Sequence, residues 1–173
     1  LCLGGRCLML RPAVAADIPF IRSLTTRPDY APFISDSDDA QLQVWIDSPS
    51  DRVLIWETDA ARGFAVVRDI DRPGGIVELF RIALDRAGGG QGERFLRALV
   101  DHGFRKLGAE RLWLDASAEN PRAVKVYTRA GFQVEGTLRA HWYRPALGRA
   151  VDLILMGLLR SDWQALEPLQ VRA

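Results

Sequence analysis

Four of the five residues from Gly88 to Gly92 are glycine, and this run has the clearest chemical use in the sequence. An apolar, strand-like segment at residues 76–84 precedes it, and a helical pattern over residues 94–106 follows it. Glycine has no Cβ, so such a loop can turn tightly and lie against a ligand. At a helix N-terminus its free N–H groups could bind phosphate oxygens. On spacing alone, the run fits a phosphate site and a simple connecting turn equally well.

Two common phosphate-binding loops do not fit the run. A nucleoside-triphosphate loop needs Lys followed by Ser or Thr after its last glycine, whereas Gly92 is followed by Glu93 and Arg94. The dinucleotide fingerprint G-x-G-x-x-G would place its third glycine at Glu93 or at Phe95. Neither a nucleoside triphosphate nor a dinucleotide is therefore favoured as the ligand.

The segments on either side of the run indicate a mixed chain of strands and helices. Strands are expected at residues 7–11, 52–57, 64–70, 76–84, 111–116, 132–138 and 150–159. Helices are expected at residues 16–25, 38–46, 94–106 and 120–130. We interpret residues 139–148 as a loop and residues 161–173 as a tail. Three consecutive strands with short connections predict an antiparallel meander, followed by a β-α-β-α-β half.

A third type of phosphate loop matches the run. Residues 87–92, followed by Phe95 and Leu96, resemble the acetyl-CoA loop R-G-x-G-x-G-x-x-L-L of the GNAT acetyltransferases. Asn120 to Ala123, then Tyr127, then Gly131-Phe132 resemble the second signature of that family, N-x-x-A-x-x-x-Y followed by G-F. Two signatures in the family's order favour a phosphate site over a connecting turn.

The resemblance covers about residues 8–163, and it also indicates a branch of the family. Residues 135–139 and 152–163 are similar to the ribosomal-protein alanine acetyltransferases, which acetylate protein N-termini. The fold that the resemblance implies is α/β (α+β), with a mixed, mostly antiparallel central sheet of six to seven strands flanked by about four helices. A single domain is expected at residues 8–163, with an extension at residues 1–7 and a tail at residues 164–173.

The resemblance also implies how acetyl-CoA is bound. Main-chain N–H groups of the glycine loop would contact the pyrophosphate, and those of the strand before it would contact the pantetheine and the acetyl carbonyl. The expected cofactor-binding residues are Ile82, Ala83, Leu84, Ala87, Gly88, Gly89, Gly90, Gln91, Gly92, Glu93, Asn120 and Tyr127. The family usually has Arg or Gln at the position of Ala87, and the adjacent Arg86 is a candidate replacement.

Acetyl transfer to an amine needs a proton acceptor, a stabilised oxyanion and a proton for the departing thiolate. The resemblance places that last proton donor at Tyr127, whose alternative is packing on the sheet. Asn120 would bond the pantetheine, cap its own helix, or do both. Asp115 and Glu78 are the candidate bases, and a solvated carboxylate is the alternative for each. The family's N-terminal acetyltransferases carry a glutamate at the position of Asp115.

The expected activity is direct acetyl transfer within a ternary complex, because no cysteine is expected near the site. A peptide N-terminal α-amine is the first candidate acceptor, and its pKa near ~8 makes deprotonation easy. Small amines, amino acids, polyamines and a non-catalytic acyl-CoA-binding module are the alternatives. The segments expected around the acceptor contain five aromatic or histidine side chains, with core packing preferred for Trp45: Phe33, Trp45, His141, Trp142 and Tyr143.

Composition excludes several other classes. A net charge of +1 over 173 residues gives no reason to expect nucleic acid or an anionic membrane as partner. Cys2 and Cys7 do not form a disulfide framework, and no Cys/His cluster has metal-ligand spacing. Residues 1–10 are interpreted as leading into the first strand and not as a signal peptide. We expect a cytoplasmic monomer or homodimer without a metal.

Overall fold

The structure, a computed structural model, describes residues 9–170, with Met9 and residues 167–170 described by their backbone only. Its centre is a seven-stranded sheet in the order β1-β2-β3-β4-β5-β7-β6. The strands are β1 (Met9–Pro12), β2 (Arg52–Glu57), β3 (Arg62–Arg68), β4 (Ile76–Leu84), β5 (Arg111–Ser117), β6 (Gln133–Arg144) and β7 (Arg149–Leu159). This mixed sheet confirms the predicted fold class.

Five α-helices cover the two faces of the sheet. They are α1 (Ile18–Thr25), α2 (Asp39–Asp47), α3 (Gln91–Arg105), α4 (Pro121–Arg129) and α5 (Arg160–Gln170). Short 3-10 turns precede α1, at Ala15–Asp17, and β7, at Pro145–Leu147. Polar first-turn caps start two of the helices: Asp38 Oδ1 accepts the Gln41 N–H at 2.8 Å, and Asn120 Oδ1 accepts the Ala123 N–H at 3.1 Å.

The two faces of the sheet bury different side chains of the same strands. On one face, Leu54 and Trp56 of β2 belong to the core cluster of α3, where Trp56 stacks on Phe95 with ring centroids 5.0 Å apart. On the other face, Val53 and Ile55 belong to the core cluster of α1 and α2. Because strand side chains alternate between faces, β2 is buried on both sides.

The sheet opens between its two central strands. β4 and β5 are parallel neighbours, and they pair over three positions only, ending at Glu78 opposite Trp113. β5 continues along β7 to Ser117, while β4 continues along β3 to Leu84. The two strands therefore separate, and the second half of β4 has no partner on its β5 side.

The structure differs from the sequence prediction in two places. β6 extends to Arg144, with a break in its pairing between Leu138 and Trp142, whereas a loop was expected from residue 139. Ala140 lies at the break with φ 46°, and its N–H donates to Asp152 Oδ1 at 2.7 Å, which lets the strand resume. The expected tail begins as a helix, α5, because Trp163 is buried and stacks on Phe104 at 5.0 Å.

Some predictions fall on residues that are not described. The extension at residues 1–7, Cys2, Cys7 and the last three residues of the chain lie outside residues 9–170. Within the described part, β1 starts at Met9 where a strand was expected from residue 7.

Candidate functional site

The gap between β4 and β5 opens into a cavity of about 850 Å³. Four segments contribute to its lining: the glycine loop, the start of α4, the segment at residues 29–35 and part of β6. The structure thus brings together around one cavity segments that are far apart in the sequence.

The glycine loop has a backbone that side chains other than glycine rarely adopt. Gly88, Gly89 and Gly90 have φ values of 116°, 55° and 76°. Gly90 is the N-cap of α3, and the Gln91 N–H is bonded to the Gly88 carbonyl at 3.1 Å. The next two residues, Gly92 and Glu93, line the cavity. They lie in the first turn of α3, where main-chain N–H groups have no partner within the helix.

Six of the seven predicted loop residues line the cavity. They are Ala87, Gly88, Gly90, Gln91, Gly92 and Glu93, whereas Gly89 does not line it. Free N–H groups at a helix N-terminus fit an anion such as a pyrophosphate.

Three cations of α4 line the cavity, and they were not predicted from the sequence. Arg122, Lys125 and Arg129 line it, whereas Arg86 is exposed and does not line it. Side chains spaced three and four residues apart lie on one face of a helix, so this group of cations could have been predicted from the sequence. Of these four cations, the three on α4 therefore supply positive charge to the cavity lining and Arg86 does not.

The main-chain groups of β4 that were predicted to bind a ligand are not all free to do so. The Leu84 N–H and carbonyl are both bonded to the Tyr30 hydroxyl, at 2.9 and 2.8 Å. The Asp85 N–H donates to the Arg62 carbonyl of β3 at 2.8 Å. Because main-chain groups alternate in direction along a strand, the N–H and carbonyl of Ala83 also face β3. Those of Ile82 face the gap. Ile82 and Leu84 line the cavity, and the buried Ala83 does not.

Asn120 and Tyr127 line the cavity from α4. The cap bond of Asn120 confirms the structural role that was weighed for it, and its amide nitrogen stays available to a ligand. The Tyr127 ring packs edge-on against Phe132 with centroids 6.3 Å apart, so sheet packing also holds. Burial raises the pKa of Tyr127 to about 12, and the negative charge of Asp115 adds to this rise.

The two candidate bases have different surroundings. Asp115 lines the cavity, and burial raises its pKa while His141 opposes the rise. Glu78 is buried, with 8% of its surface exposed, and does not line the cavity. Burial raises the pKa of Glu78 to about 7, against the effect of Arg68, whose Nη1 lies 3.7 Å from its carboxylate.

The cavity also has aromatic and histidine side chains in its lining. Phe33, His141 and Trp142 line it, as the sequence suggested. Trp45 does not line it and instead packs edge-on against Phe80 at 5.8 Å, in agreement with its expected core role. Tyr143 is 62% exposed and also does not line the cavity.

A buried arginine, Arg144, is bonded to the segment at residues 31–35. Arg144, at the end of β6, donates to the carbonyl oxygens of Ala31, Pro32 and Ile34 and, at 2.8 Å, to Ser35 Oγ. Its guanidinium also lies 3.8 Å from the centre of the Trp142 ring. The strand that carries Trp142 and the segment that carries Phe33 are therefore joined by one side chain.

Neither a metal cluster nor a membrane helix is found in residues 9–170. No group of three His, Cys, Asp or Glu side chains in this part of the chain is placed to hold a metal ion. None of its helices is long and apolar enough to cross a membrane.

Comparison with known proteins gives a consistent family. The family model described as "Acetyltransferase (GNAT) domain" matches residues 7–133. The uncharacterized N-acetyltransferase p20 of Bacillus licheniformis is 29% identical over 112 residues, which are 64% of this chain and 62% of that protein. The [ribosomal protein bS18]-alanine N-acetyltransferase of Escherichia coli is 38% identical over 82 residues, 46% of this chain and 53% of that protein.

Each match thus spans less than two thirds of the curated relative's own length. Among solved structures, spermidine N-acetyltransferase from Vibrio cholerae in complex with CoA and spermine has a TM-score of 0.77 and 22% identity. That match covers 91% of this chain and 98% of the other. At this identity the likeness establishes the fold.

Proposed function

Because the chain belongs to the GNAT acetyltransferase family, we propose that it transfers the acetyl group of acetyl-CoA to a primary amine. The observation that carries the proposal is that one cavity contains the free N–H groups of the α3 N-terminus together with Asn120, Tyr127 and Asp115. Phosphate binding and proton transfer need these groups within reach of one another. Acetyl-CoA supplies the activated acetyl thioester when it is bound.

The binding of acetyl-CoA is assigned to groups whose bonding capacity is not used within the fold. The N–H groups of Gly92 and Glu93 lie at the positive end of α3, where they suit the pyrophosphate. Ile82 directs its main-chain groups into the gap between the strands, where an extended pantetheine arm has room for amide hydrogen bonds. Arg122 and Lys125 line the same cavity and add positive charge to it.

We assign proton removal from the amine to Asp115 and proton donation to Tyr127. Asp115 lines the cavity, and its raised pKa makes it a stronger base than an ordinary aspartate. With its pKa raised to about 12, the Tyr127 hydroxyl stays protonated at neutral pH and can donate a hydrogen bond to the departing sulfur. Glu78, which is buried and does not line the cavity, is a second candidate base.

The first candidate acceptor is the α-amine of a peptide N-terminus. Its support is the 38% identity to the bS18-alanine N-acetyltransferase and the similar sequence at residues 135–139 and 152–163. An α-amine with a pKa near ~8 is partly neutral at physiological pH, so a single carboxylate base suffices. Small amines are the second candidate, since solved spermidine N-acetyltransferase structures share the fold.

A coenzyme A release assay tests the proposal. The purified chain is supplied with acetyl-CoA and, in turn, with Ala-initiated peptides, free amino acids and polyamines. Turnover with peptides first is the expected result, and Tyr127→Phe should lower kcat by roughly 10- to 100-fold with little change in acetyl-CoA affinity. Tight acetyl-CoA binding with no turnover of any amine would instead indicate a binding module.

A further inference from the structure

Arg81 of β4 is a cation in the cavity that the acetyl-transfer chemistry does not use. It lies at the pairing irregularity of β4, beside Phe80, and lines the same cavity as Phe33, His141 and Trp142. Its guanidinium carbon is 5.0 Å from the ring centres of both Trp45 and Phe80. The two rings fix the plane of the guanidinium and leave its edges for hydrogen bonds.

The guanidinium has bonding capacity that the protein does not use. Arg81 Nη1 donates to Ser37 Oγ at 2.7 Å, and no carboxylate in residues 9–170 lies within ion-pair distance of it. An arginine side chain carries five N–H donors in a fork that matches a carboxylate. Asp36, the acidic residue whose charge acts on Arg81, is already bonded to Arg22 and Thr25, at 3.0 and 2.8 Å.

Other charges nearby do not neutralise Arg81. Burial lowers the pKa of Arg81 to about 10, and the charges of Arg144 and Arg68 act in the same direction, against Asp36. The N–H groups of Arg144 are bonded to the segment at residues 31–35. Arg68 Nη1 lies 3.7 Å from the Glu78 carboxylate. A partly buried cation without an anion costs free energy, and an anionic ligand would recover it.

The cavity also contains a carboxylate for the amine. Asp115 lines the cavity from β5, on the strand that neighbours β4. A positive group and a negative group on the two strands that border the gap match an acceptor with opposite charges at two points. They disfavour an acceptor that carries several ammonium groups, because Arg81 would repel the second one.

We propose that the acceptor is a primary amine that also carries a carboxylate, and that Arg81 binds this carboxylate while the amine lies toward Asp115. The inference rests on the proposed acetyl transfer and specifies its substrate class. An acidic side chain just after a peptide N-terminus and a small amino acid both present this chemistry. Arg81 is thereby a residue that determines specificity, and polyamines are poor acceptors.

Matched acceptors test the inference on the unaltered protein. Two C-terminally amidated dipeptides, Ala-Asp and Ala-Asn, differ only in a carboxylate, and so do 4-aminobutyrate and 4-aminobutanamide. In each pair that is turned over, kcat/KM should favour the acid by about 10- to 100-fold, as expected for an arginine–carboxylate pair. The pair with the larger kcat/KM distinguishes a peptide from a small acceptor, and spermidine should be slower than both acids.

Variants of Arg81 assign the preference to this side chain. In Arg81→Gln the ratio of acid to amide should fall to about one, through a higher KM for the acid. Arg81→Lys should retain part of the ratio, since it keeps the charge but loses the fork. Arg72→Gln is the matched control, because it removes the same charge from an exposed turn outside the cavity.

Each outcome decides between the inference and the proposed function. Equal turnover of acid and amide by the unaltered protein, or a preference for spermidine, overturns the inference and leaves acetyl transfer standing. A preference that survives in Arg81→Gln overturns the role of this side chain. No turnover of any amine overturns the proposed function itself. If Arg81→Gln does not fold, the acid–amide comparison on the unaltered protein and on Arg81→Lys still decides.

Discussion

The hydroxyl of Tyr30 takes the place of a neighbouring strand for Leu84. It accepts the Leu84 N–H at 2.9 Å and donates to the Leu84 carbonyl at 2.8 Å, at the point where β4 has lost its β5 partner. Burial raises the pKa of Tyr30, which keeps this hydroxyl protonated. Arg27, from the same segment, donates to the Asp85 carbonyl at 2.7 Å. The segment between α1 and α2 is therefore attached to the end of β4.

Tyr30→Phe should lower the free energy of unfolding by about 1–3 kcal/mol, because both main-chain groups of Leu84 lose their partner. Urea unfolding of the protein without acetyl-CoA measures this. Acetyl-CoA affinity should stay equal or increase, since Leu84 lines the cavity and its freed main-chain groups become available to a ligand. Tyr143→Phe is the control, as that tyrosine is 62% exposed. A several-fold loss of acetyl-CoA affinity in Tyr30→Phe would contradict this view of Leu84.

Gly90→Val should abolish measurable acetyl-CoA binding while the protein stays folded. At φ 76° a β-branched side chain is strained by about 1–3 kcal/mol, and it projects where the first turn of α3 meets the cavity. Gly108→Val is the matched control, because Gly108 has φ 69° and follows the other end of α3. Calorimetric titration and urea unfolding should give similar stability losses but lost binding in one variant only. Normal binding by Gly90→Val would exclude the loop as the pyrophosphate site.

Replacing both Arg122 and Lys125 by Gln should weaken acetyl-CoA binding by roughly 3- to 10-fold, in line with partly exposed charge pairs. The loss should shrink as the salt concentration rises, because exposed charges are screened. Lys106→Gln, which removes an exposed charge outside the cavity, should bind normally. Equal affinities at low salt would show that main-chain groups suffice despite Ala87. Dissociation constants at two salt concentrations make the comparison.

The pH–rate profile should distinguish the two candidate bases. A base acts only when deprotonated, so kcat/KM falls as the pH drops through its pKa. For Glu78 that decline would centre near pH 7, and Glu78→Gln would remove it. Burial raises the pKa of Asp115 as well, so Asp115→Asn should abolish the decline it causes and lower kcat by roughly 10- to 100-fold. An unchanged acidic limb in both variants would assign the proton to bulk water.

Glu78 should also have an effect on stability that does not depend on catalysis. Its pKa in the folded protein, about 7, lies above the ordinary value of 4.5, so the folded state holds the proton more tightly than the unfolded state. Its contribution is therefore fully present below about pH 4.5 and is lost as the pH rises through about 7. Glu78→Gln should be more stable than the parent at pH 8, by on the order of 2 kcal/mol, and similar at pH 4. Urea unfolding at both pH values measures this.

Local sequence determined most of the elements and the cofactor end of the site. The glycine run needs positive φ angles that only glycine adopts cheaply, and Asn120-Pro121 provides a cap and a first turn, so each can be read without knowing the fold. A continuous run of four apolar residues predicted β2 at its observed bounds. The end of β6 was missed because a strand with a break and exposed residues has no clear period of two.

Only the tertiary structure decided which side chains share the cavity. Arg81 lies 63 residues from Arg144 and 34 from Asp115 by their numbers in the chain, and nothing local relates them. The separation of β4 from β5 after Glu78 is a property of two strands together, and it creates the space that Tyr30, Asp115 and Arg81 border. Glu78 and Asp115 were indistinguishable as strand carboxylates, and the structure places only Asp115 in the cavity lining. Contacts between distant segments depend on how the whole chain packs, which no single segment encodes.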